Sequence, residues 1–366
     1  MAANSNEKSS KRGLSKFKLK LLSGLELAPE ARNEEKKPPY PAGRFKRFFD
    51  TYKANSNHLM TANAMTIIFL LPLFALIIAI SFIGVEKFAY MLADIDKVPY
   101  LMSGFGIGLS DGMAINEAKV ILLLAYRVIF LGVAVCLPIL SFGVAGHAYI
   151  STKLIWGERF VCKKDKKTGA DVPRIVTEYF RGVKTYWKEM LITFSGYAVF
   201  FAGGTNLIIE FIAGVWSGGA NVGQWFALFG GIIILFVSTM ILLNLVPQVI
   251  SYHKTLSYAA KLKNACIYST AFFIPSFMML VLIGAPFALF AIDSMFVTII
   301  IAVAFVMIGT TYIVLATVNY GDYNSENVLQ VLYERLQTDR SRQNRKEKKK
   351  PEANKQQGPV KYKKKK

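Results

Sequence analysis

Charged side chains are scarce in this chain of 366 residues, and they are unevenly distributed. They make up 19% of the residues, whereas soluble proteins average about 25%. The formal net charge is nevertheless +20, because lysine and arginine crowd residues 8–53, 153–188 and 340–366 between long apolar stretches. This composition excludes an ordinary soluble domain, and the block pattern is typical of a membrane protein with basic segments on one side.

Cysteine and histidine are also rare. Cys136, Cys162 and Cys266 form no CxxC pair and no zinc-type spacing, and an odd number of cysteines argues against a disulfide framework. We therefore expect reduced, unpaired thiols. The three histidines are scattered along the chain, so the sequence predicts no metal site and no cofactor.

Catalytic and nucleotide-binding motifs are missing as well. The sequence contains no Walker A loop, no GxSxG, no HExxH and no EF-hand loop. Carboxylates and histidines do not gather on any predicted helix face. We therefore expect a protein without enzymatic activity.

Long apolar stretches are what the sequence has in abundance, and a stretch of about 20 residues is enough to cross a bilayer. They predict an all-α fold, a polytopic transmembrane helical bundle of six spans. No apolar signal-peptide segment precedes the first span, so we expect an uncleaved anchor. We expect a basic, polar N-terminal tail (1–43), a membrane domain (44–324) and a basic, largely disordered C-terminal tail (325–366). The predicted spans are about 59–83, 120–150, 190–212, 224–250, 266–291 and 294–318.

Basic residues flank these spans on alternate sides. Both tails and the connections after the second and fourth spans are rich in lysine and arginine, whereas the loops at 84–119 and 213–223 are acidic or uncharged. The positive-inside rule then places both termini in the cytoplasm. Residues 340–366 hold 13 basic and two acidic residues. We expect this tail to attract anionic lipid headgroups and to bind no specific nucleic acid.

The basic loop between the second and third spans contains an amphipathic segment. Residues 172–187 read VPRIVTEYFRGVKTYW, in which apolar and aromatic residues recur at helical spacing among basic ones. This pattern predicts an amphipathic cytoplasmic helix, either lying in the membrane interface or packed as a connector on the bundle. The candidates for a cytoplasmic interaction surface are Trp156, Tyr179, Phe180, Lys184 and Trp187.

Three charged residues fall within predicted spans or at their ends, where a charge is costly. Arg127 lies in the outer part of the second span, Glu210 near the outer end of the third, and Asp293 at the outer turn of the last hairpin. Because the predicted topology puts them at similar depth, we expect Arg127 to pair with Glu210 or with Asp293. Such a cluster is either a structural ion pair or a polar site for a substrate or ion.

Small and polar residues interrupt the third and fourth spans. Glycines occur at 203–204 and 230–231, and the fourth span also contains Asn244 and Pro247. Small residues allow helices to approach closely, and asparagine can bridge them. The alternative is a discontinuous helix that lines a path through the membrane.

Residues 142–191 carry a recognisable combination of segments. The small-residue run FGVAGHAY leads to KLIWGE, and the segment EYFRGVKTYWKEML follows after an insert at 163–168. This combination resembles the YesL-type family of bacterial membrane proteins, although His147 and the insert depart from the family pattern. The resemblance implies a bacterial inner-membrane protein of a kind thought to accompany carbohydrate uptake systems, and it transfers no catalytic residues.

Two functional hypotheses follow. The first is a non-enzymatic accessory or interaction protein of the bacterial cytoplasmic membrane that works through another membrane protein complex, such as a carbohydrate transport system. The alternative is a transporter or channel in its own right, with a polar site around Arg127 and Glu210.

Overall fold

The computed structural model describes residues 21–22, 24–26, 44–83, 115–158, 160–164, 171–289 and 295–325. These residues are helical apart from turns and one short pair of antiparallel strands. The chain divides into two compact units, Gly24–Gly321 and a second unit formed by Met1–Ser23 with Asp322–Lys366. Only residues 21–22 and 322–325 of the second unit are described, and all are helical.

Where the connections between helices are described, they are turns and one strand pair. The strands β1 (Cys162–Lys164) and β2 (Asp171–Pro173) pair with Lys163 opposite Val172. A π-helical turn, Phe305–Gly309, joins the last two helical segments. The helices are α1 (Arg44–Ala54), α2 (Ser56–Ile83), α3 (Ile115–Ile155), α4 (Ile175–Trp216), α5 (Val222–Ser251), α6 (Tyr258–Ala271), α7 (Phe273–Ala288), α8 (Met295–Ala304) and α9 (310–325).

The predicted all-α polytopic bundle is confirmed. Helices α3 and α4 contain 41 and 42 residues, about 60 Å each, which is twice the thickness of a hydrocarbon core. The segment predicted as a separate amphipathic helix is the first part of α4, continuous with the third span. Five described helical segments are long and apolar enough to cross a membrane: Ser56–Ile80, Leu122–Ile155, Ile175–Trp216, Val222–Ser251 and Ile299–Ser325.

The fifth predicted span, 266–291, is not one straight helix. Helices α6 and α7 have only 14 and 16 residues and meet at Phe272 with a bend of 93°. Pro275 explains the break, because it has no N–H for the carbonyl of Ala271 and its ring clashes with that carbonyl. The described residues therefore hold five uninterrupted candidate spans, and six if the bent pair counts as one.

The π-helical turn is held by Asn63 of α2, which is almost fully buried. The Asn63 amide nitrogen donates hydrogen bonds to the carbonyls of Val306 (2.6 Å) and Met307 (3.0 Å). Its oxygen accepts from the Thr310 hydroxyl and from the Thr311 backbone N–H, the latter at 3.1 Å. A π turn disturbs the regular ladder of helical hydrogen bonds, and this one side chain supplies partners to groups inside the turn and directly after it.

Burial is concentrated at the end of the bundle that carries the basic residues. The main apolar core there draws Leu59 from α2, Ala145 from α3, Met190 from α4, Val249 from α5 and Leu315 from α9. The opposite halves of the helices expose large apolar side chains, as surfaces that face lipid do. Examples are Ile77, Val135, Phe200, Phe226 and Ile233.

A short piece of the predicted polar N-terminal tail packs on α6. The Glu26 N–H donates to Asn264 Oδ1 (3.0 Å), and Asn264 Nδ2 donates to the Glu26 carbonyl (2.9 Å). Lys263 Nζ lies 2.9 Å from Glu26 Oε1. Residues 24–26, which composition assigned to the N-terminal tail 1–43, therefore belong to the compact unit Gly24–Gly321.

Replacing Asn63 by Leu should destabilise the protein. The change leaves the carbonyls of Val306 and Met307 without their donor, and each unsatisfied buried polar group costs about 1–3 kcal/mol. The measurement is the Tm of the detergent-solubilised protein. Asn57→Leu alters an exposed position of the same helix and should leave Tm nearly unchanged. Equal Tm values for the two variants would contradict the role given to Asn63.

Candidate functional site

Helices α3 and α4 approach each other through two reciprocal glycine–tyrosine contacts. A Cβ on Gly146 of α3 would lie 2.8 Å from the ring of Tyr179 on α4, and a Cβ on Gly182 of α4 would lie 2.7 Å from Cβ of Tyr149 on α3. Each ring therefore occupies the space that a side chain on the other helix would need. The small-residue run and the aromatic segment noted in the sequence are packing partners of each other.

Tyr179 is fully buried where α2, α3 and α4 meet. Its hydroxyl donates to the carbonyl of Gly143 (2.9 Å) and lies 3.1 Å from Thr66 Oγ1. Thr66 Oγ1 in turn lies 3.1 Å from Nδ1 of the buried His147. The expectation that Tyr179 faces a cytoplasmic partner is therefore corrected, because its ring and its hydroxyl are engaged inside the bundle.

Glu178 fixes the beginning of α4 to the end of α3. Its side chain is fully buried, and Lys153 Nζ (2.9 Å) and Arg181 Nη1 (2.8 Å) bind its two oxygens. The hydroxyl of Tyr149 adds a longer hydrogen bond of 3.3 Å. A buried carboxylate is costly unless it is both paired and hydrogen-bonded, so these partners determine how α4 is oriented at its basic end.

The outer face of the same part of α4 is apolar and exposed. We call Val176, Phe180 and Trp187 the basic-end stripe; their exposed fractions are 45%, 47% and 38%. Their spacing places them along one side of the helix. Trp187 stacks on Phe142 with ring centroids 6.4 Å apart. Exposed cations lie along one side of the stripe: Arg174, Arg181, Lys184 and Lys188.

The five residues predicted for a cytoplasmic surface thus separate into two groups. Phe180, Lys184 and Trp187 are exposed on α4. Trp156, at the end of α3, is partly buried and packs against the main core, and Tyr179 lies inside the bundle. Helical periodicity placed these residues on a helix, but it did not distinguish the face that contacts α3 from the face that contacts solvent.

At the other end of the bundle, the structure brings Arg127 and Glu210 together. The guanidinium of Arg127 on α3 forms an ion pair with the carboxylate of Glu210 on α4, and the side chains are 40% and 45% exposed. Asp293 lies outside the described residues. Because each charge of the pair is balanced by the other, this pair presents no uncompensated charge to a substrate or ion.

A second ion-pair cluster joins α4 to α6, and no local pattern in the sequence predicts it. Lys261 Nζ, which is fully buried, lies 2.6 Å from Glu189 Oε2, and His253 Nδ1 lies 3.8 Å from Oε1. The His253 ring packs edge-on against Tyr186. Burial lowers the pKa of His253 below its ordinary value, although the carboxylate of Glu189 acts in the opposite direction. The partners are far apart in the chain, so local patterns do not pair them.

A polar cluster fills the inside of the α6–α7 bend. Nδ2 of Asn244 on α5 donates to the Met240 carbonyl (3.0 Å) and to Ser269 Oγ (3.1 Å), and it lies 3.5 Å from Ser276 Oγ. The Ser276 hydroxyl is 2.7 Å from the hydroxyl of Tyr320. All four side chains of the cluster are buried. Asn244 therefore bridges helices, which is one of the two roles left open by the sequence.

The described residues do not bring three His, Cys, Asp or Glu side chains into a metal-binding group. The three cysteines are free thiols, and two of them, Cys162 and Cys266, are exposed.

Gly146→Ala and Gly182→Ala should each lower Tm. The added methyl group meets a tyrosine side chain, and overpacking costs about 1–3 kcal/mol, which exceeds the gain of about 0.5–1 kcal/mol from replacing glycine in a helix. Gly196→Ala and Gly203→Ala are matched controls on α4 with open space around the new Cβ. They should keep or raise Tm. A uniform response of the four variants would contradict this packing scheme.

His253 should make stability depend on pH in the acidic range. Its pKa is lower in the folded protein than in the unfolded chain, where it is about 6.5, so protonation favours unfolding. The free energy of unfolding should therefore fall below pH 6.5 more steeply for the wild type than for His253→Gln, by at most about 1.4 kcal/mol per pH unit. Tm should fall with it. The control is pH 8, where the histidine is neutral in both states. Parallel curves down to pH 5 would show that the environment of His253 is wrongly assigned.

Comparison with known proteins identifies no relative. No family model, no curated protein and no solved structure matches this chain. The YesL-type resemblance therefore stays a prediction from residues 142–191, and functional arguments depend on the geometry described above.

Proposed function

We propose that this chain is a non-enzymatic integral membrane protein that works by binding a partner at the basic-end stripe of α4. The observation that carries the proposal is a row of exposed apolar side chains flanked on one side by cations. The inner face of the same helix is fixed by buried contacts. Large exposed apolar side chains on a well-ordered surface are typical of interaction sites.

The stripe extends beyond the hydrocarbon layer. Helix α4 has no charged residue between Glu189 and Glu210, and these 20 residues span about 30 Å, the thickness of the hydrocarbon core. Phe180 lies ten residues before this stretch, which is about 15 Å of helix. A tilt of about 40° still leaves about 11 Å, whereas each headgroup layer is about 5–8 Å thick. Phe180 and Val176 therefore lie at the aqueous side of the headgroups, where lipid does not cover them.

The stripe is preorganised for binding. The Gly146–Tyr179 and Gly182–Tyr149 contacts and the buried Glu178 hold α4 against α3 before any partner arrives. A surface that is already ordered loses less conformational entropy on binding. The matching partner is an amphipathic helix with apolar side chains flanked by acidic ones, because apolar anchors give affinity and opposite charges give orientation.

The setting of this interaction follows from charge asymmetry. The stripe lies at the basic end, which the positive-inside rule assigns to the cytoplasm together with both termini. The YesL-type resemblance implies a bacterial cytoplasmic membrane and an association with a carbohydrate transport system. The proposed partner is therefore a cytoplasmic segment of another membrane protein complex, with anionic lipid headgroups as additional contacts of the basic tails.

Phe180→Ser should abolish recovery of the partner. The experiment is affinity purification of the full chain from gently solubilised membranes, with mass spectrometry of stoichiometrically bound proteins. Losing a buried aromatic anchor typically costs 2 kcal/mol or more, roughly a thirtyfold loss of affinity. Lys184→Glu should also weaken binding, because it places an acidic group opposite the acidic flank of the partner. Both residues are exposed, so Tm should change little.

Phe200→Ser is the matched control. Phe200 is exposed on the same helix, within the charge-free stretch that faces lipid, so its replacement should leave partner recovery intact. Equal recovery with Phe180→Ser and with the wild type would refute docking at the stripe. A protein that purifies without any partner would refute the proposal as a whole.

Transport is the second candidate function. It is favoured by the break between α6 and α7, since broken helices in membranes commonly border binding sites. A polar transport site around Arg127 and Glu210 is less well supported, because the two charges pair with each other. Ion or solute flux into liposomes that contain only this protein separates transport from partner binding.

A further inference from the structure

We propose that the junction of α5, α6 and α7 binds a small monovalent cation. The junction is defined by Asn244 and Gln248 of α5, Ser269 of α6 and Ser276 of α7. It shares no residue with the basic-end stripe, so the inference does not depend on partner binding.

Two buried oxygens at this junction lack hydrogen-bond partners among the described residues. They are Oδ1 of Asn244 and Oε1 of Gln248, and each side chain belongs to a residue only 2% exposed. An unsatisfied buried acceptor is costly. Two such atoms on one helix call for a positively charged or hydrogen-donating occupant.

The orientation of both amides is fixed by neighbouring carbonyls. Asn244 Nδ2 donates to the Met240 carbonyl at 3.0 Å, and Gln248 Nε2 donates to the Asn244 carbonyl at 3.2 Å. Turning either amide around would set its oxygen against a carbonyl oxygen, which is repulsive. The unpartnered atoms are therefore acceptors, and exchanging nitrogen for oxygen does not remove them.

The surroundings add further oxygen atoms. Asn244 and Gln248 are one turn apart on the same face of α5, so their Cβ atoms are about 5–6 Å apart. Ser269 and Ser276 lie against Nδ2 of Asn244. The α6 helix ends at Ala271 and the α7 helix begins at Phe273, so the partial charges of the two helix ends offset each other. The two unpartnered oxygens are what a cation would balance.

The donor set selects the class of cation. The four side chains are amides and hydroxyls, without a carboxylate among them. Calcium and magnesium sites use carboxylates, whereas neutral side-chain oxygens and unwound backbone carbonyls at broken membrane helices coordinate sodium in transporters. The junction therefore fits a sodium or potassium ion.

The test is the thermal unfolding of the solubilised full chain in chloride salts of sodium, potassium or N-methylglucamine at constant ionic strength. Sodium or potassium should raise Tm by about 3–6 °C at ten times its dissociation constant, with saturation. Gln248→Met removes one unpartnered oxygen at similar volume and should abolish the rise. Ser238→Ala, which removes a hydroxyl elsewhere on α5 that binds the Leu235 carbonyl, should retain it. Gln248→Glu should tighten cation binding about tenfold, because ligand charge tunes affinity.

Direct binding keeps the proposal testable even if a variant does not fold. The wild-type protein should bind about one radioactive sodium or thallium ion per chain, and unlabelled sodium or potassium should displace it. Identical Tm values in the three salts together with no displaceable binding would show that the junction holds only water, and would overturn the proposal.

Discussion

Backbone groups inside a hydrocarbon layer must find partners within the protein, and this requirement governs the last third of the chain. Two irregularities occur in this region: α6 and α7 meet in a bend at Phe272, and the π-helical turn Phe305–Gly309 lies between α8 and α9. Each irregularity meets an asparagine from an earlier helix, Asn244 or Asn63. The Asn63 amide both donates and accepts, so it complements carbonyls and hydroxyl or N–H groups together. The Asn244 amide donates to the Met240 carbonyl and to the hydroxyl of Ser269. The late helices thus rely on α2 and α5 for their shape.

A different solution operates between α3 and α4, where the helices are regular and very long. Glycine leaves out the side chain where the opposite tyrosine needs space, as at Gly146 and Gly182. The buried carboxylate of Glu178 is satisfied by donors from both helices. The charged groups Glu178, Lys153 and Arg181 of this pair therefore balance one another. The consequence is a rigid helix whose outer face stays free, which is the property that recognition of a partner needs.

Much of this fold follows from the sequence alone. Long apolar runs predict the spans, and charge blocks identify the basic end, since both are properties of whole segments. The position of Tyr179 and the break at Phe272 do not follow in this way. Periodicity locates a helix but not the neighbour of each face, and hydropathy averaged over 266–291 hides the effect of Pro275. Contacts such as Lys261 with Glu189 join distant parts of the chain, so only the folded structure reveals them.

The two candidate sites offer different chemistry to a binding partner. At the basic end, the Glu178 carboxylate and the Tyr179 hydroxyl are engaged inside the bundle, so the stripe itself offers apolar and cationic side chains. At the α5–α6–α7 junction, Asn244 and Gln248 keep acceptors without partners, although an apolar residue at either position would avoid that cost. A buried acceptor without a hydrogen-bond partner is tolerable where a bound ion contacts it. The stripe is therefore a place for a macromolecule, and the junction is a place for something as small as an ion.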